Sequence, residues 1–300
     1  MNGLPARQID IETPAKLNLG LEIIGRREDG FHEIATILVG IDIYDTLRLT
    51  SADTISIACD EPALTGIDNL AMRALAALRD DTGFRGGARI ELTKRIPAAA
   101  GLGGGSSDAA AALLAGRELW QLDVADDALR SLAARLGSDV PFFLDGGCAV
   151  ARGRGEVLTP VPLPGAVWFV VVVPALAIPN KTATLYAHVR REDFSDGARI
   201  GVQETRLAVG LALGPELLGN AFSRPLYDVA PALTGLPDVM RDAGAAAVAL
   251  SGAGPAHYAP FASITDAEST ASRLRGRLED RAQVFVAWPA PPRRARSGPL

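Results

Sequence analysis

Apolar residues in the first sixty positions recur at every second residue or in short runs, and polar turn segments such as RREDGFH and DIYD separate them. Such a pattern is typical of β-strands that bury one or both faces. A segment with the helical spacing of leucines and alanines follows, and then one more alternating segment. The pattern predicts strands at residues 8–11, 17–24, 34–41, 46–50, 54–58 and 87–93, and a helix at residues 68–80.

The remainder of the chain mixes helical and strand patterns without a regular alternation of the two. Alanine- and leucine-rich stretches indicate helices, and four consecutive valines indicate a buried strand. This order predicts an α+β fold rather than a series of βαβ units. The predicted helices cover residues 105–120, 126–136, 182–191, 202–213, 231–243 and 265–278, and the predicted strands cover residues 167–173, 246–251, 257–261 and 283–288.

Three prolines and a glycine cluster at residues 160–165, which indicates a boundary between two domains. We therefore expect an N-terminal domain at residues 1–162 and a C-terminal domain at residues 163–288. The last segment, residues 289–300, is rich in proline and arginine, and such a terminal stretch is expected to be mobile.

The chain of 300 residues carries a net charge of −5, which gives it no general attraction for nucleic acids or anionic membranes. Its first residues lack the apolar stretch of a signal peptide, and its longest apolar run, residues 166–177, is too short to span a bilayer. We therefore expect a cytoplasmic protein, monomeric or homodimeric, whose partner is a small molecule. If that molecule is an anion, a local arrangement of donors must bind it.

A glycine-rich loop at residues 97–108, PAAAGLGGGSSD, leads directly into the predicted helix at residues 105–120. Four glycines within five residues allow positive φ angles and close approach of a ligand, and a helix start presents unpaired N–H groups with a partial positive charge. These features predict a phosphate site, with Ser106 and Ser107 as hydroxyl contacts to phosphate or to a phosphate-bound Mg²⁺. A flexible linker is the alternative, but the flanks of the loop are not linker-like. The chain has neither a GxxxxGK[ST] nor a GxGxxG motif.

With the alanines that follow it, the loop resembles the ATP loop of the GHMP kinases, the superfamily of galactokinase, homoserine kinase, mevalonate kinase and phosphomevalonate kinase. Three further segments are similar, in order and spacing, to one branch of this superfamily: PAKLNL followed by GRREDGFHE, then LGSDVPFF, then RGRGE. That branch phosphorylates the 2-hydroxyl of 4-diphosphocytidyl-2-C-methyl-D-erythritol in the non-mevalonate pathway to isoprenoid precursors.

The resemblance implies a GHMP kinase fold, with an N-terminal ribosomal-S5-like βα domain and a C-terminal ferredoxin-like α/β domain. It also implies an ATP-dependent kinase that uses ATP and Mg²⁺ and takes a cytidine-diphospho polyol as its substrate. Two alternatives stay open. One is another GHMP kinase of the homoserine or mevalonate type, and the other is a non-catalytic ligand-binding homologue.

By the same resemblance, Lys16 and Asp139 form the catalytic pair. Lys16 shares one face of a predicted strand with Asn18, and its apolar neighbours suggest a buried strand in which a lysine needs an anionic partner. Asp139 lies at the edge of the apolar segment SDVPFF, where a turn or capping aspartate is the alternative.

The resemblance implies that His32 hydrogen-bonds the cytosine ring, that Phe31 packs beside it, and that Tyr186 stacks on the same ring. For Tyr186 a core position on a helix is the alternative. The implied substrate-binding residues are Asn18, Phe31, His32 and Tyr186. The implied ATP-binding residues are Pro97, Ala98, Ala99, Ala100, Gly101, Leu102, Gly103, Gly104, Gly105, Ser106, Ser107, Asn69 and Lys94, with Ser106 and Ser107 as the contacts to Mg²⁺.

Two segments depart from the pattern of that branch. Where the branch usually reads M-S-G-S-G-[AS]-[TC]-x-F, this chain reads LSGAGPAHYAPF, so that Ala253 removes a hydroxyl and Pro255 removes an N–H group. Where the branch commonly reads N-D-L-E, this chain reads NAFS at residues 220–223, without the acidic pair. These departures put substrate contacts in doubt more than they do the fold.

Overall fold

The structure is a computed structural model that describes residues 7–293, and it is built on two β-sheets. Six strands form the first sheet, in the order β3-β4-β2-β5-β6 with β1 paired to β2. Only the pair of β3 with β4 is parallel in this sheet. The strands are β1 (Gln8–Arg26), β2 (His32–Ala52), β3 (Ser56–Cys59), β4 (Gly87–Thr93), β5 (Cys148–Arg152) and β6 (Val157–Pro160).

The first two strands are longer than the sequence predicts, because segments expected as separate strands are continuous. The predicted strands at 8–11 and 17–24 both lie in β1, and those at 34–41 and 46–50 both lie in β2. The antiparallel register of β1 and β2 shifts at three places, including one between Pro14 and Ala15. Such irregularities bend a strand without ending it, which is why the polar DIYD segment is not a turn.

Four helices pack together beside the first sheet, and α1 and α2 contact its strands directly. The most buried is α2, whose four consecutive alanines from Ala109 to Ala112 have no exposed surface, so that it packs closely between β1 and α1. Helix α4 was not predicted, since its sequence VPFFLD reads as an apolar turn. The helices are α1 (Leu70–Thr82), α2 (Gly104–Leu119), α3 (Asp126–Leu136) and α4 (Val140–Asp145).

The second sheet is antiparallel throughout and has the order β10-β7-β9-β8. Counted within the sheet, this is the order 4-1-3-2 with helices after the first and third strands, as in a ferredoxin-like βαββαβ unit. Its strands are β7 (Trp168–Pro174), β8 (Ala249–Leu250), β9 (His257–Phe261) and β10 (Ala282–Ala287). Its helices are α5 (Lys181–His188), α6 (Ala198–Ala208), α7 (Ser223–Val229), α8 (Leu236–Asp242) and α9 (Ile264–Leu278).

The chain passes from the first sheet to the second between Pro160 and Trp168. The predicted division at residues 162/163 into two domains stays a prediction, because the two sheets share a buried core. Leu17 of β1, Ile37 of β2 and Val171 of β7 belong to the same cluster of buried apolar residues.

Part of the predicted tail is held against the first sheet. The Ala290 N–H donates to the Gly40 carbonyl over 2.8 Å, and the Arg293 N–H donates to the Asp145 carbonyl over 2.7 Å. Residues 290 and 293 are thus hydrogen-bonded to the rest of the chain, the mobility of residues 289–300 stays a prediction, and residues 294–300 lie outside the described part of the chain. Between residues 7 and 293, no helix has the length and apolar character to cross a membrane.

A buried hydrogen bond between the two sheets should contribute measurably to stability. The Tyr258 hydroxyl on β9 donates to the Asn18 carbonyl on β1 over 2.8 Å, and both residues are buried. Tyr258→Phe leaves that carbonyl without a donor, so the free energy of unfolding should fall by about 1–2 kcal/mol in urea denaturation. Tyr44→Phe is the control, since the Tyr44 hydroxyl makes no hydrogen bond within the described residues, and equal losses in the two variants would contradict the expectation.

Candidate active site

A cavity of about 910 Å³ lies between the two halves of the chain. Its lining includes four basic residues, Lys16, Arg26, Arg154 and Lys181, and one acidic residue, Asp139. The lining is therefore positively charged, although the chain as a whole carries a net charge of −5. This local excess of positive charge favours an anionic ligand.

The glycine loop forms one wall of the cavity, and two of its glycines have left-handed backbone conformations. Gly101 has a φ of +88°, and Gly103, which precedes α2, has a φ of +76°. A Cβ atom on Gly103 would lie 2.7 Å from the Phe143 ring and 3.0 Å from the Lys16 side chain. Only glycine fits at this position, so no side chain of residue 103 separates the loop backbone from Lys16.

The two serines of the loop point in different directions. Ser106 lines the cavity, at the first turn of α2, where the backbone N–H groups lack partners within the helix. Ser107 is fully buried, and its hydroxyl donates to the Pro14 carbonyl over 2.6 Å and contacts the Thr13 hydroxyl. Of the two hydroxyls, only that of Ser106 is at the cavity, whereas that of Ser107 joins α2 to β1.

Lys94 was expected to bind ATP, but it lies buried behind the loop. Its ammonium pairs with the Asp45 carboxylate and, over 2.9 Å, with Asp108, and its side chain is only 3% exposed. Asp45 also accepts the backbone N–H groups of Arg95 and Ile96 over 2.6 Å and 2.8 Å. The sequence reveals a lysine beside the loop, but not that two carboxylates already neutralise it.

The carboxyl of Asp108 is buried in this cluster and is incompletely hydrogen-bonded. Burial raises the pKa of its carboxyl to about 7; Lys94 opposes the rise, and the neighbouring Asp45 adds to it. Its second oxygen, Oδ1, has no hydrogen-bond partner. Two carboxylates share one lysine here, so the ionisation of both at once is unfavourable.

Asn69 was also expected near the nucleotide, and the structure uses its side chain as a helix cap. Its Oδ1 accepts the Ala71 N–H over 2.8 Å at the start of α1, and its Nδ2 donates to the Leu64 carbonyl over 2.8 Å. The next residue, Leu70, lies beside Gly105, where an added Cβ would be 3.6 Å away. Asn69 is therefore close to the loop, but it is not part of the cavity wall.

The earlier part of the loop contributes mainly backbone. Pro97 and Ala98 lie at its outer start, half-buried and exposed respectively. The buried Ala100 accepts the Ala256 N–H over 3.0 Å, and the buried Leu102 accepts the Lys16 N–H over 2.9 Å. The remaining glycines, Gly104 and Gly105, begin α2.

Lys16 and Asp139 face each other across the cavity floor, as the sequence predicts. The Lys16 ammonium lies 3.7 Å from Asp139 Oδ2 and donates to Asn18 Oδ1 over 2.5 Å. Burial lowers the pKa of Lys16, and the charge of Asp139 opposes that shift. Asp139 precedes α4, but its side chain makes no capping hydrogen bond, and it is 36% exposed. The capping alternative therefore fails, and this carboxylate is free to act in the cavity.

The other end of the cavity is aromatic. The His32 ring stacks on Tyr186 with a centroid distance of 4.7 Å and an interplanar angle of 19°. The Arg154 guanidinium lies 4.8 Å from the centroid of Phe31, which is half exposed. Burial, with a smaller contribution from Arg26, lowers the pKa of His32, which favours the neutral form of its ring. The structure thus brings the three residues expected to bind a base together at one end.

Asn220 holds the loop at residues 251–255 in spite of its altered sequence. The buried Asn220 amide donates to the Leu250 and Gly252 carbonyls over 2.9 Å each. Ser251 donates its hydroxyl to the Gly101 carbonyl over 3.0 Å, which joins this loop to the glycine loop. Ala253 therefore changes the cavity lining without loss of the backbone support beneath it.

Three basic residues of the cavity, Arg26, Arg154 and Lys181, were not predicted as site residues. Arg154 lies inside the RGRGE segment, whose letters do not show that its side chain faces the cavity. Lys181 lies outside the motifs that carry the resemblance. The sequence marks it only by its residue type, because the chain contains just three lysines. No group of three or more histidine, cysteine or acidic residues that could hold a metal ion occurs within residues 7–293.

Comparison with known proteins gives a consistent picture. Residues 69–147 match the family described as GHMP kinases N terminal domain. The chain is 37% identical over 287 residues to the 4-diphosphocytidyl-2-C-methyl-D-erythritol kinase of Gloeobacter violaceus, covering 93% of this chain and 94% of that protein.

Solved structures agree with this similarity. A crystal structure of 4-(cytidine 5'-diphospho)-2C-methyl-D-erythritol kinase matches with a TM-score of 0.76 and 36% identity, over 93% of this chain and 99% of that one. A homoserine kinase from Cytophaga hutchinsonii matches with a TM-score of 0.75 at 18% identity, over 94% of this chain and 95% of that one, which shows the shared fold alone.

The buried carboxyl of Asp108 predicts a pH-dependent stability. Its folded-state pKa of about 7 is above that of an unfolded aspartate, so its contribution to stability is full below about pH 4 and is lost as the pH rises through about 7. Asn at this position cannot ionise. The melting temperature of Asp108→Asn relative to the parent protein should therefore rise by about 2–4 °C between pH 5.5 and 8.5.

Thermal unfolding followed by circular dichroism at several pH values checks this expectation. Asp123→Asn is the matched control, because Asp123 is exposed and its carboxyl stays in water. A difference between Asp108→Asn and the parent protein that does not change with pH would contradict it.

Proposed function

The chain belongs to the 4-diphosphocytidyl-2-C-methyl-D-erythritol kinases of the GHMP superfamily, and on this basis we propose that it transfers the γ-phosphoryl group of ATP to the 2-hydroxyl of 4-diphosphocytidyl-2-C-methyl-D-erythritol. The observation that carries the proposal is the Lys16–Asp139 pair beside the bare glycine loop in a positively charged cavity. A kinase of this kind supplies an intermediate for isoprenoid synthesis.

The glycine loop is suited to the phosphates of ATP. Helix α2 begins within the loop, so its free N–H groups and partial positive charge favour phosphate oxygens at this point. Gly103 leaves no side chain between the backbone and the cavity, and Ser106 adds a hydroxyl. These residues fit a nucleotide with Mg²⁺, which would neutralise part of the phosphate charge, and Ser106 is the hydroxyl best placed to approach it.

Asp139 acts on the acceptor hydroxyl in this proposal. Phosphoryl transfer passes through a loose transition state, so the attacking hydroxyl loses its proton late and a carboxylate is a sufficient base. The Asp139 side chain is partly exposed to the cavity and makes no capping hydrogen bond, which leaves its oxygens available. The Lys16 ammonium, 3.7 Å away, offsets negative charge on the group in transit.

The aromatic end suits a cytosine ring. The lowered pKa of His32 favours its neutral form, in which one ring nitrogen accepts and the other donates a hydrogen bond. Phe31 and Tyr186 offer ring faces for stacking, and the hydroxyl of Tyr186 stays protonated because burial and Asp139 raise its pKa to about 12. Arg154 beside Phe31 adds a positive charge that favours the diphosphate.

The choice of substrate separates this proposal from the other GHMP kinases. Release of ADP should be rapid with Mg-ATP and 4-diphosphocytidyl-2-C-methyl-D-erythritol, and at least about 100-fold slower with homoserine or mevalonate, because those acceptors leave the aromatic end unfilled. A coupled assay for ADP measures all three rates. Faster turnover of homoserine or mevalonate would assign the chain to another branch, and no turnover of any acceptor would favour a non-catalytic homologue.

Asp139→Asn tests the assigned base. The amide cannot accept the hydroxyl proton, so kcat should fall by about 10²–10⁴-fold while the affinity for Mg-ATP stays within about threefold. Steady-state kinetics and calorimetric titration with a non-hydrolysable ATP analogue give the two quantities. Asp145→Asn, on an exposed aspartate at the other end of α4, is the matched control, and a near-normal kcat for Asp139→Asn would remove this residue from the mechanism.

A further inference from the structure

Lys181 reaches from the start of α5 to two loops at the edge of the cavity. Its ammonium donates to the Ala99 carbonyl over 2.7 Å and to the Gly254 carbonyl. Ala99 belongs to the glycine loop and has a positive φ of +52°, while Gly254 belongs to the loop at residues 251–255. The lysine therefore lies where both loops meet, and it lines the same cavity as Lys16 and Asp139.

The partners of Lys181 are neutral. Within the described residues, Lys16 has Asp139 as an ion-pair partner and Lys94 has two aspartates, whereas Lys181 forms no ion pair with a carboxylate. Burial and repulsion from Lys16 lower the pKa of Lys181 to about 8. A partly buried cation without a counter-ion is unfavourable, and an anionic ligand in the cavity relieves that cost.

An ammonium group has three N–H donors, and two of those of Lys181 are used by the Ala99 and Gly254 carbonyls. The third is left for a ligand in the cavity that the side chain lines. Since the two carbonyls fix the position of the ammonium, a phosphate oxygen would meet a pre-placed donor with a full charge.

The composition of the chain singles out this residue. Of its 30 basic residues only three are lysines, Lys16, Lys94 and Lys181, and the other 27 are arginines. All three lysines lie at or directly behind the glycine loop. A lysine offers a compact point charge where the planar fork of an arginine does not fit, so its use at these three places alone indicates a specific requirement there.

We propose that Lys181 is a phosphate-binding residue of the active site, whose ammonium contacts a phosphate group of the bound reactants. This inference rests on the proposed function, which supplies two sources of phosphate: the phosphates of ATP and the diphosphate of the cytidine substrate. Lys16 then attends the group in transit, and Lys181 holds a neighbouring phosphate in place.

Two neutral variants separate a phosphate contact from a mere connection between the loops. Lys181→Met removes the charge and the donors, whereas Lys181→Gln removes the charge and keeps an N–H group for a carbonyl. If the charge binds phosphate, both variants should weaken the binding of a phosphate-bearing ligand by roughly 10–100-fold, the range for a lost hydrogen bond to a charged group.

Isothermal titration calorimetry of each protein with ATP, adenosine, CDP and cytidine provides the measurement. The expected result is weaker binding of ATP, of CDP or of both, with unchanged binding of adenosine and cytidine. A loss confined to ATP assigns the contact to the ATP phosphates, and a loss confined to CDP assigns it to the substrate diphosphate. Melting temperatures of the variants show that they are folded.

Three results would overturn the inference: unchanged binding of both phosphate ligands, equal losses for a nucleotide and its nucleoside, or normal binding in Lys181→Gln with a loss in Lys181→Met. The last would show that Lys181 only connects the loops. A parent protein that binds neither ATP nor CDP would refute the proposed function and this inference with it. If the parent protein binds both ligands and the Lys181 variants show no phosphate-specific loss, the role of Lys181 alone is refuted.

Discussion

The buried ion cluster of Asp45, Lys94 and Asp108 is the constraint on which the active site depends. Lys94 lies just before the glycine loop, and Asp108 lies in the first turns of the helix that follows it. Asp45, on β2, binds Lys94 and the two backbone N–H groups after it. Both ends of the loop are thereby fixed to one point of the first sheet, and the loop can hold left-handed glycines over the cavity without collapsing.

Strand β1 links this cluster to Lys16 and to the second sheet. Its Pro14 carbonyl accepts the buried Ser107 hydroxyl, and its Lys16 N–H donates to the Leu102 carbonyl, so the strand is joined to both sides of the loop. The same strand receives the Tyr258 hydroxyl from the second sheet at the Asn18 carbonyl. The positions of the glycine-loop backbone, of Lys16 and of the second sheet are therefore coupled through a single strand.

Much of this arrangement could be predicted from the sequence, since the features involved are local. The glycine loop and the helix after it are visible in the letters, whereas the roles of Lys16, His32 and Asp139 follow from contiguous motifs that resemble those of a known family. The burial of Lys94 and of the Ser107 hydroxyl could not be predicted, because it depends on partners that are 49 and 93 positions away in the chain. The continuity of β1 and of β2 could not be predicted for a related reason. Only the pairing of the two strands shows that their polar interruptions are irregularities of register.

The altered loop at Ala253 and Pro255 shows how one motif combines two kinds of residue. The changes concern substrate contacts, and Ala253 lines the cavity, while the buried amide of Asn220, in the segment without the acidic pair, supports the loop from beneath. A motif read as letters combines residues that hold a backbone with residues that face a ligand. The structure separates these two roles, and only the second differs here.

The scarcity of lysine also determines the chemical reactivity of this protein. With arginine at all 27 other basic positions, the side-chain amines of the molecule are confined to the surroundings of the glycine loop. Lys16 and Lys94 are almost fully buried, and Lys181, whose lowered pKa leaves part of it as the nucleophilic free amine near neutral pH, is the more accessible of the three. Among side chains, an acylating reagent or an aldehyde would therefore find its target inside the cavity, so that labelling of a side-chain amine reports on the active site.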